Sequence, residues 1–318
     1  MDILARLANL PGALPGACAQ GLIWGIMAIG VYLTYRILDV ADLTVDGSLG
    51  TGGAVCVVMV LNGVPVGLAL LAATAAGMLA GLVTGLFHTA CGIPAILAGI
   101  LTQLALYSVN LRIMGFGTGG GKANLPISVD KYGLLVSARY VRNVALNNPI
   151  LILAIFCAVL IAVLYWFFGT ELGCSLRATG ANQNMARAQG INTNVAKVLG
   201  LMISNGLVAL AGGLLAQYQG FSDINMGRGA IVIGLAAVII GEVIFSRIFR
   251  NFALKLLSAV IGAIIYYIVM VFVLRLGLST DDLKLLTALV VALFLTIPYW
   301  KGKYFTKTSV KKGEKNHA

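Results

Sequence analysis

The sequence predicts an all-α protein that crosses a membrane many times. Hydrophobic residues occupy 59% of its 318 positions, and the four charged residue types only 10%. A soluble domain needs about 25% charged residues to cover its surface. Between Asp46 and Arg112 the chain contains no Asp, Glu, Lys or Arg at all. Uncharged apolar runs of about 18 residues or more are typical of membrane-spanning helices, so the composition argues against a soluble enzyme.

About nine hydrophobic segments, separated by polar stretches, make up a predicted membrane domain at residues 1–300. In chain order they cover residues 17–38, 50–62, 66–87, 93–114, 149–168, 197–218, 229–245, 255–275 and 283–299. The second and the seventh are too short to cross a hydrocarbon core about 30 Å thick as straight helices. The others are interpreted as ordinary spans.

The two short segments each follow a polar stretch, at residues 42–48 and 223–229. Short apolar segments entered through polar turns predict broken or re-entrant helices. Such helices are tolerated at membrane depth only where they are buried in protein or line a cavity. They occupy corresponding places in the two halves of the chain, which hints at an internal duplication without a clear residue-level repeat.

Basic residues predict the orientation. The tail at 301–318 contains six lysines and one glutamate, which favours the cytoplasmic side and anionic lipid headgroups. Nine segments then place the N-terminus outside and the loops at 170–196 and 246–254 inside. The loop at 115–148 is the exception, because it falls outside although it carries four basic residues. Either a span is miscounted or this loop docks an external partner.

Gly77, Gly81 and Gly85 lie at helical spacing on one face of the third segment. This small-residue pattern lets two helix backbones approach closely. Packing within one subunit is the preferred interpretation, and a dimer seam is the alternative. Gly234 and Gly241 are expected to act similarly in the seventh segment.

The sequence contains no pattern for a metal, a cofactor or a nucleotide. Its five cysteines have no CxxC spacing and are expected to be small buried residues, and only two histidines occur. The stretch at 115–123 resembles a phosphate loop, but Phe116 and Ala123 replace the glycine and the hydroxyl that such a loop needs. The net charge of +11 lacks the folded basic domain that nucleic-acid binding requires. We therefore expect no catalytic residues and no bound nucleic acid.

Polar residues within or beside the spans are candidates for a translocation path, because they are costly in a membrane. The candidates are Asp42, Thr44, Asp46, Ser48, Gln103 and Asn205. Glu242 is the one plausible acid for ion coupling within a span, although its predicted place near the cytoplasmic interface favours a structural or partner-facing role. The alternative to an ATP-driven permease is an ion-coupled secondary carrier that would use Glu242 or Asp46 for ion coupling. A membrane-embedded enzyme is disfavoured.

The most informative stretch is the cytoplasmic loop at 170–196, which is polar and punctuated by glycine. A short helix is predicted around residues 183–188. A solvated linker is the interpretation that composition alone favours. The alternative is a docking element whose short helix fits a groove on a soluble partner.

This loop resembles the coupling loop of permeases from ATP-binding-cassette importers of the branched-chain amino acid and ribose type. The matching residues are Leu172-Gly173, Arg177-Ala178, Gly180, Asn182, Ala186, Gly190-Ile191-Asn192 and the later run 211–216. A second element of the family, at a broken helix, is matched by residues 42–48. The resemblance covers roughly residues 20–298, and the form of the second element is similar to the tryptophan/tyrosine-type subgroup.

The resemblance implies a bacterial plasma-membrane permease without an ATP site of its own. Its implied partners are cytoplasmic ATPase subunits, an external substrate-binding protein and a second permease copy, identical or different. The residues it implies for ATPase coupling are Arg177, Gly180, Asn182, Ala186, Arg187, Gly190 and Ile191. An amino acid is the implied substrate, and the tryptophan/tyrosine-type subgroup implies an aromatic one. The basic loop at 115–148 becomes a candidate docking surface for the binding protein.

Overall fold

The computed structural model of the chain describes residues 10–116, 120–128, 131–141, 148–245, 248–249, 251–275, 285, 287–294 and 296. The described part is almost entirely helical, which confirms the predicted all-α class. Its helices are α1 (Leu10–Tyr32), α2 (Val45–Leu61), α3 (Val66–Thr89), α4 (Ala95–Met114), α5 (Pro149–Gly169), α6 (Glu171–Ala181), α7 (Gln183–Ala188), α8 (Thr193–Gln219), α9 (Ala230–Phe245) and α10 (Phe252–Arg275). A π-helical turn, Leu33–Ile37, extends α1.

Six of the described helices are long and apolar enough to cross a membrane, namely α1 with its π-helical turn, α3, α4, α5, α8 and α10. The two predicted short segments are present as α2, with 17 residues, and α9, with 16 residues. Helix α2 begins at Val45, five residues earlier than predicted, so Asp46 and Ser48 lie within its first turn. The basic tail at 301–318 lies outside the described residues, and the predicted ninth segment is described only at 285, 287–294 and 296, so the count of nine stays a prediction.

Helix α8 is the centre of the bundle, and α1, α2 and α3 pack along it. Glycines make the close approaches possible. A Cβ atom at Gly52 would overlap the backbone of Ala209, and one at Gly212 would overlap the backbone of Leu49. Side chains of α2 are correspondingly buried all round, unlike those of α5, which keeps one apolar face exposed.

The small-residue face of α3 packs against α8 of the same chain, in agreement with the preferred interpretation of the sequence. A Cβ atom at Gly77 would meet Asn205, one at Gly81 would meet Leu201, and one at Gly85 would meet Val198. These three α8 residues follow at one-turn intervals, so α3 and α8 run antiparallel with their backbones in direct contact. The glycines of α9 also face neighbours in the same chain, with Gly234 against α1 and Gly241 against α10.

Two helix–break–helix units run in opposite directions through the bundle. The first comprises α1 and α2, and the second α8 and α9. Gly30 of α1 faces Ser204, whereas Leu38 beyond α1 faces Gly200, so α1 and α8 are antiparallel. Helix α9 runs back alongside α1, with Gly234 against Val31. The two units thus have opposite directions, and the internal duplication stays a prediction.

The helix ends gather at two opposite ends of the bundle. Helices α6 and α7, the end of α1 and the start of α10 share one end, where Gly180 contacts Ile37. At the other end, strand β1 (Asn124–Pro126) pairs antiparallel with β2 (Phe221–Asp223), which follows α8. The loops at 170–196 and 115–148 therefore lie at opposite ends, as the predicted topology requires.

We predict that Gly81→Ala destabilises the chain by about 1–3 kcal/mol, because the added methyl group overlaps the Leu201 carbonyl oxygen and forces α3 away from α8. The matched control is Gly67→Ala in the first turn of α3, where nothing lies within 4 Å of the added Cβ. Thermal unfolding in detergent, followed by circular dichroism, measures both. An equal or smaller loss for Gly81→Ala would contradict the close α3–α8 approach.

Candidate translocation and coupling sites

The start of α2 is held by a buried polar network centred on Asp42. One Asp42 carboxylate oxygen accepts a hydrogen bond from the Thr44 backbone N–H at 2.9 Å, and the other accepts one from Asn205 Nδ2 at 2.6 Å. The Asn205 Oδ1 atom accepts a bond from the Ser48 hydroxyl at 2.6 Å. Asn205 Nδ2 also donates to the Leu201 carbonyl at 3.0 Å. The Asn205 side chain thereby joins α8 to both ends of the turn that begins α2.

Three threonine hydroxyls extend this network across three structural elements. The Thr44 and Thr84 hydroxyl oxygens lie 2.7 Å apart, and Thr84 donates to Thr102 across 2.9 Å. Thr44 precedes α2, Thr84 belongs to α3 and Thr102 to α4. The hydroxyls of Thr84 and Thr102 also bond carbonyls one turn earlier in their own helices. The break before α2 is thus tied to both following helices.

Four of the six predicted path residues lie inside this network instead of facing an open cavity. Asp42, Thr44, Ser48 and Asn205 expose at most 2% of their surface. Their polar atoms are satisfied by one another and by backbone groups, as burial in an apolar bundle requires. In this conformation they hold the broken helix in place.

Asp46 connects the two short helices. Its two carboxylate oxygens accept hydrogen bonds of 2.9 Å from the backbone N–H groups of Gly229 and Ile231, at the start of α9. Asp46 also lies in the first turn of α2, so two helix N-termini, each with a positive partial charge, meet at one carboxylate. The positive φ of Gly229, +84°, shapes the turn that brings α9 to this position.

The remaining path candidate, Gln103, lies half-buried on α4, where its Cα atom contacts α2 close to Gly47. Two turns further along α4, Asn110 is 2% exposed and donates a long hydrogen bond of 3.5 Å to the Gly47 carbonyl. Asn110 Oδ1 is buried without a partner among the described residues. In the sequence, Asn110 is recognisable as an amide side chain within an apolar helix, seven residues after Gln103.

The segment α6–α7 has the local structure of a defined element, not that of a solvated linker. Asn182 caps α7, since its side chain accepts hydrogen bonds from the backbone of Asn184 and Met185 at 3.1 Å. Gly190, with a φ of +81°, closes the helix in a left-handed conformation. Asn192 then caps α8 in the same way. The short helix predicted around 183–188 is present as α7.

The predicted coupling residues divide into two groups by the direction they face. Asn182, Arg187 and Gly190 are exposed, and Arg187 bonds Thr193 through Nε at 2.9 Å. Arg177 is also exposed and lies over the Phe252 ring, and Ile191 is half-buried.

Gly180 and Ala186 face the body of the protein instead of a partner. A Cβ atom at Gly180 would overlap the carbonyl oxygen of Ile37, and Ala186 is 2% exposed. The sequence motif did not reveal Met185, an apolar side chain that is 63% exposed on α7. Its signal is an apolar residue directly beside buried Ala186 on a helix of only six residues.

Glu242 forms a bidentate ion pair with Arg36. The distances are 2.7 Å from Nε to Oε1 and 2.8 Å from Nη2 to Oε2. The pair joins the π-helical end of α1 to α9, at the end of the bundle that carries α6 and α7. This ion pair is a structural contact of the kind that the predicted position of Glu242 favours, and the role of Glu242 stays a prediction.

The cysteines are not all buried, contrary to expectation. Cys56 and Cys157 are buried and Cys18 is half-buried, but Cys91 and Cys174 are exposed. Cys91 lies in the turn after α3 and Cys174 on α6, so both are outside the candidate spans.

Comparison with known proteins finds one matching family profile and several related sequences. The sequence profile of the family described as "Branched-chain amino acid transport system / permease component" matches residues 14–297. A tyrosine transport system permease protein of Clostridioides difficile (strain R20291) is 41% identical over 278 residues, which cover 87% of this chain and 88% of that one.

Three further matches have lower sequence identity. An uncharacterised protein of Rickettsia prowazekii (strain Madrid E) is 37% identical, with 88% of this chain and 95% of that one covered. The autoinducer 2 import system permease protein LsrC of Salmonella typhimurium is 28% identical over 69% of this chain and 59% of that one. The solved structure of PsaBC from Streptococcus pneumoniae in complex with Fab shares the fold, with a TM-score of 0.52, 16% identity and 94% and 98% coverage of the two chains.

We predict that Asn205→Leu destabilises the chain by about 3 kcal/mol, because it leaves the buried Asp42 carboxylate without its side-chain donor. Ser48→Ala is the matched variant, since it removes a neutral donor from the same network and should cost about 1 kcal/mol. Chemical or thermal unfolding of both variants in detergent gives the order. A larger effect of Ser48→Ala would show that Asn205 is not the main partner of Asp42.

Proposed function

The chain belongs to the permease family of branched-chain amino acid transport systems, and from this premise we propose that it is the translocation subunit of an ATP-binding-cassette importer. The observation that carries this proposal is the α6–α7 segment. It is a capped, ordered element at one end of the bundle, it presents an exposed apolar residue, and it contacts the end of α1 through Gly180. A separate cytoplasmic ATPase supplies the energy, and this chain has the role of a transport subunit, not of an enzyme.

The ATPase docks on α7, in this proposal, with Met185 as the central apolar contact. Asn182, Arg187 and Gly190 surround it as exposed polar or small positions. Ala186 and Gly180 take part indirectly, because Ala186 seats α7 on the bundle and Gly180 lets α6 touch the backbone of Ile37. Arg177 and Ile191 fix the two flanks of the segment. All seven coupling positions thereby contribute to one docking element.

Motion of α6–α7 reaches the membrane interior through a short series of contacts. Gly180 touches Ile37 at the end of the π-helical turn, and five residues later Asp42 begins the network that holds α2. Asp46 of α2 then caps α9. We infer that closure of the ATPases moves α6, the end of α1 and the two short helices together. The short helices α2 and α9 then change position relative to α8.

The translocation path follows the start of α2, with Asp46 and Gln103 at its wall. Both are only partly buried, whereas Asp42, Thr44, Ser48 and Asn205 support the wall from behind. A second permease copy, identical or different, completes the pore. The apolar residues exposed on α3, α4 and α5 provide faces for that copy and for lipid.

An amino acid is the proposed substrate, and aromatic amino acids are the first to test, because the tyrosine transport permease is 41% identical. An external substrate-binding protein delivers it to the loop at 115–148. There the exposed Lys122 and Lys131 provide positive charge, and β1 anchors the loop to β2. The proposed location is a bacterial plasma membrane with a cytoplasmic C-terminus.

We predict that Met185→Glu abolishes co-purification of the ATPase and lowers ATP-driven uptake at least tenfold, because a carboxylate replaces the apolar contact at the centre of the interface. Leu135→Glu introduces the same charge at an exposed apolar residue at the opposite end and should leave the ATPase bound. Pull-down from detergent and ATP-driven uptake of tyrosine in proteoliposomes are the measurements. Retained binding and uptake in Met185→Glu would exclude the coupling role of α7.

The alternative function is an ion-coupled carrier that uses Glu242, and one substitution separates the two. We predict that Glu242→Gln keeps uptake within about twofold of the unchanged chain and costs at most about 1 kcal/mol, since the Arg36 partner is half-exposed to solvent. Uptake is measured with ATP and, separately, with an imposed ion gradient. Ion-driven uptake that disappears in Glu242→Gln would support the carrier.

A further inference from the structure

A basic cleft opens beside α6, at the end of the bundle that carries the α6–α7 segment. Its volume is about 540 Å³, and its charged lining residues are Arg36, Arg177 and Lys255. Of the described residues that line it, none is an aspartate or glutamate. Glu242 lines an adjoining cavity and is engaged by Arg36. Arg177 and Lys255 therefore present two positive charges that no described carboxylate neutralises within 4 Å.

An aromatic cavity of about 450 Å³ adjoins the basic cleft and shares Arg177 and Phe252 with it. The Arg177 guanidinium carbon lies 5.5 Å from the centre of the Phe252 ring, on the boundary between the two spaces. Tyr165 and Trp166 of α5 line the aromatic side and are 57% and 72% exposed. Exposed tyrosine and tryptophan at the end of an apolar span are typical of the headgroup level of a membrane.

An exposed apolar stripe on α5 continues from this cavity into the membrane-spanning region. Ile155, Val159 and Val163 follow at four-residue intervals, and each exposes more than half of its surface. Residues at this spacing lie on one face of a helix. The surface thus passes from two cations, through aromatic rings, to an aliphatic stripe.

We propose that this surface binds one anionic phospholipid, with its phosphate between Arg177 and Lys255 and an acyl chain along α5. The planar guanidinium and the ammonium suit a phosphate, and basic pockets at the cytoplasmic level between transmembrane helices bind anionic headgroups. A free phosphate or an acidic protein segment would use the cations but would leave the aromatic cavity and the α5 stripe unexplained. The proposal requires only that the chain lies in a membrane, and it holds whether or not the importer function does.

The site also has a consequence for the α6–α7 segment. Arg177 belongs to α6, whereas Lys255 belongs to α10 and the stripe to α5. A lipid held by all three would fix the position of α6 against the spans on either side. Loss of the lipid is then expected to loosen α6 without breaking any protein–protein contact.

The test is native mass spectrometry of the full-length chain, purified in detergent with any subunits that accompany it and titrated with phosphatidylglycerol or phosphatidylcholine. We expect selective binding of phosphatidylglycerol. In the double variant Arg177→Gln/Lys255→Gln, binding should weaken by roughly 30-fold, since each cation near an anionic headgroup contributes about fivefold. Lys255→Gln alone, at an exposed position, should weaken it about fivefold and serves if the double variant does not fold.

The matched control is Arg112→Gln/Lys122→Gln, which removes two exposed charges at the opposite end of the bundle and should leave the lipid bound. Equal loss in this control, or equal binding of both lipids, would overturn the proposal. Displacement of phosphatidylglycerol by millimolar inorganic phosphate, with no preference for lipid, would identify a free-phosphate site. Retained lipid together with loss of the ATPase in the Arg177→Gln/Lys255→Gln variant would make the cleft a protein-docking surface instead.

Discussion

The structure depends on one constraint, which is that a helix broken inside a membrane must find partners for its polar groups within the protein. The backbone leaves helical geometry between Leu38 and Thr44, and the chain places a carboxylate, Asp42, in this break. Asn205 on α8 donates a hydrogen bond to this carboxylate, and the remaining polar groups of its amide are hydrogen-bonded to Ser48 and Leu201. Because the break is closed by α8, the position of α2 follows from the position of α8.

The second break obeys the same constraint with the roles of the two halves exchanged. Here α9 begins inside the bundle, and its free backbone N–H groups are met by Asp46 of α2. Asp46 of α2 therefore caps α9, while Asn205 of α8 holds the break that precedes α2. The glycines at the α2–α8 and α3–α8 contacts allow the helices to approach closely enough for both sets of hydrogen bonds to form.

The sequence was sufficient for the class of fold and for most spans, because absent charge and long apolar runs report directly on the membrane environment. It also predicted the short helix α7, because Asn182 and Gly190 bound it within a few residues of its own positions. It could not tell a residue that lines a path from one that supports it. Asp42 and Asn205 were recognised as unusual, but their pairing joins positions 163 residues apart and depends on tertiary packing. Met185 was missed because exposure of an apolar side chain cannot be read from a six-residue helix.

The bond between Asp42 and Asn205 has a consequence for the order in which the protein is made. When Asp42 is synthesised, its partner Asn205 does not yet exist, because it follows 163 residues later in the chain. At typical elongation rates that interval is on the order of ten seconds or more. During it, the break before α2 holds an acid without its Asn205 partner, which lipid disfavours. We therefore expect the half-made protein to keep this region at the membrane surface or within the insertion machinery. We expect α2 to join the bundle only once α8 has been made, so that the final insertion of an early segment depends on a late one.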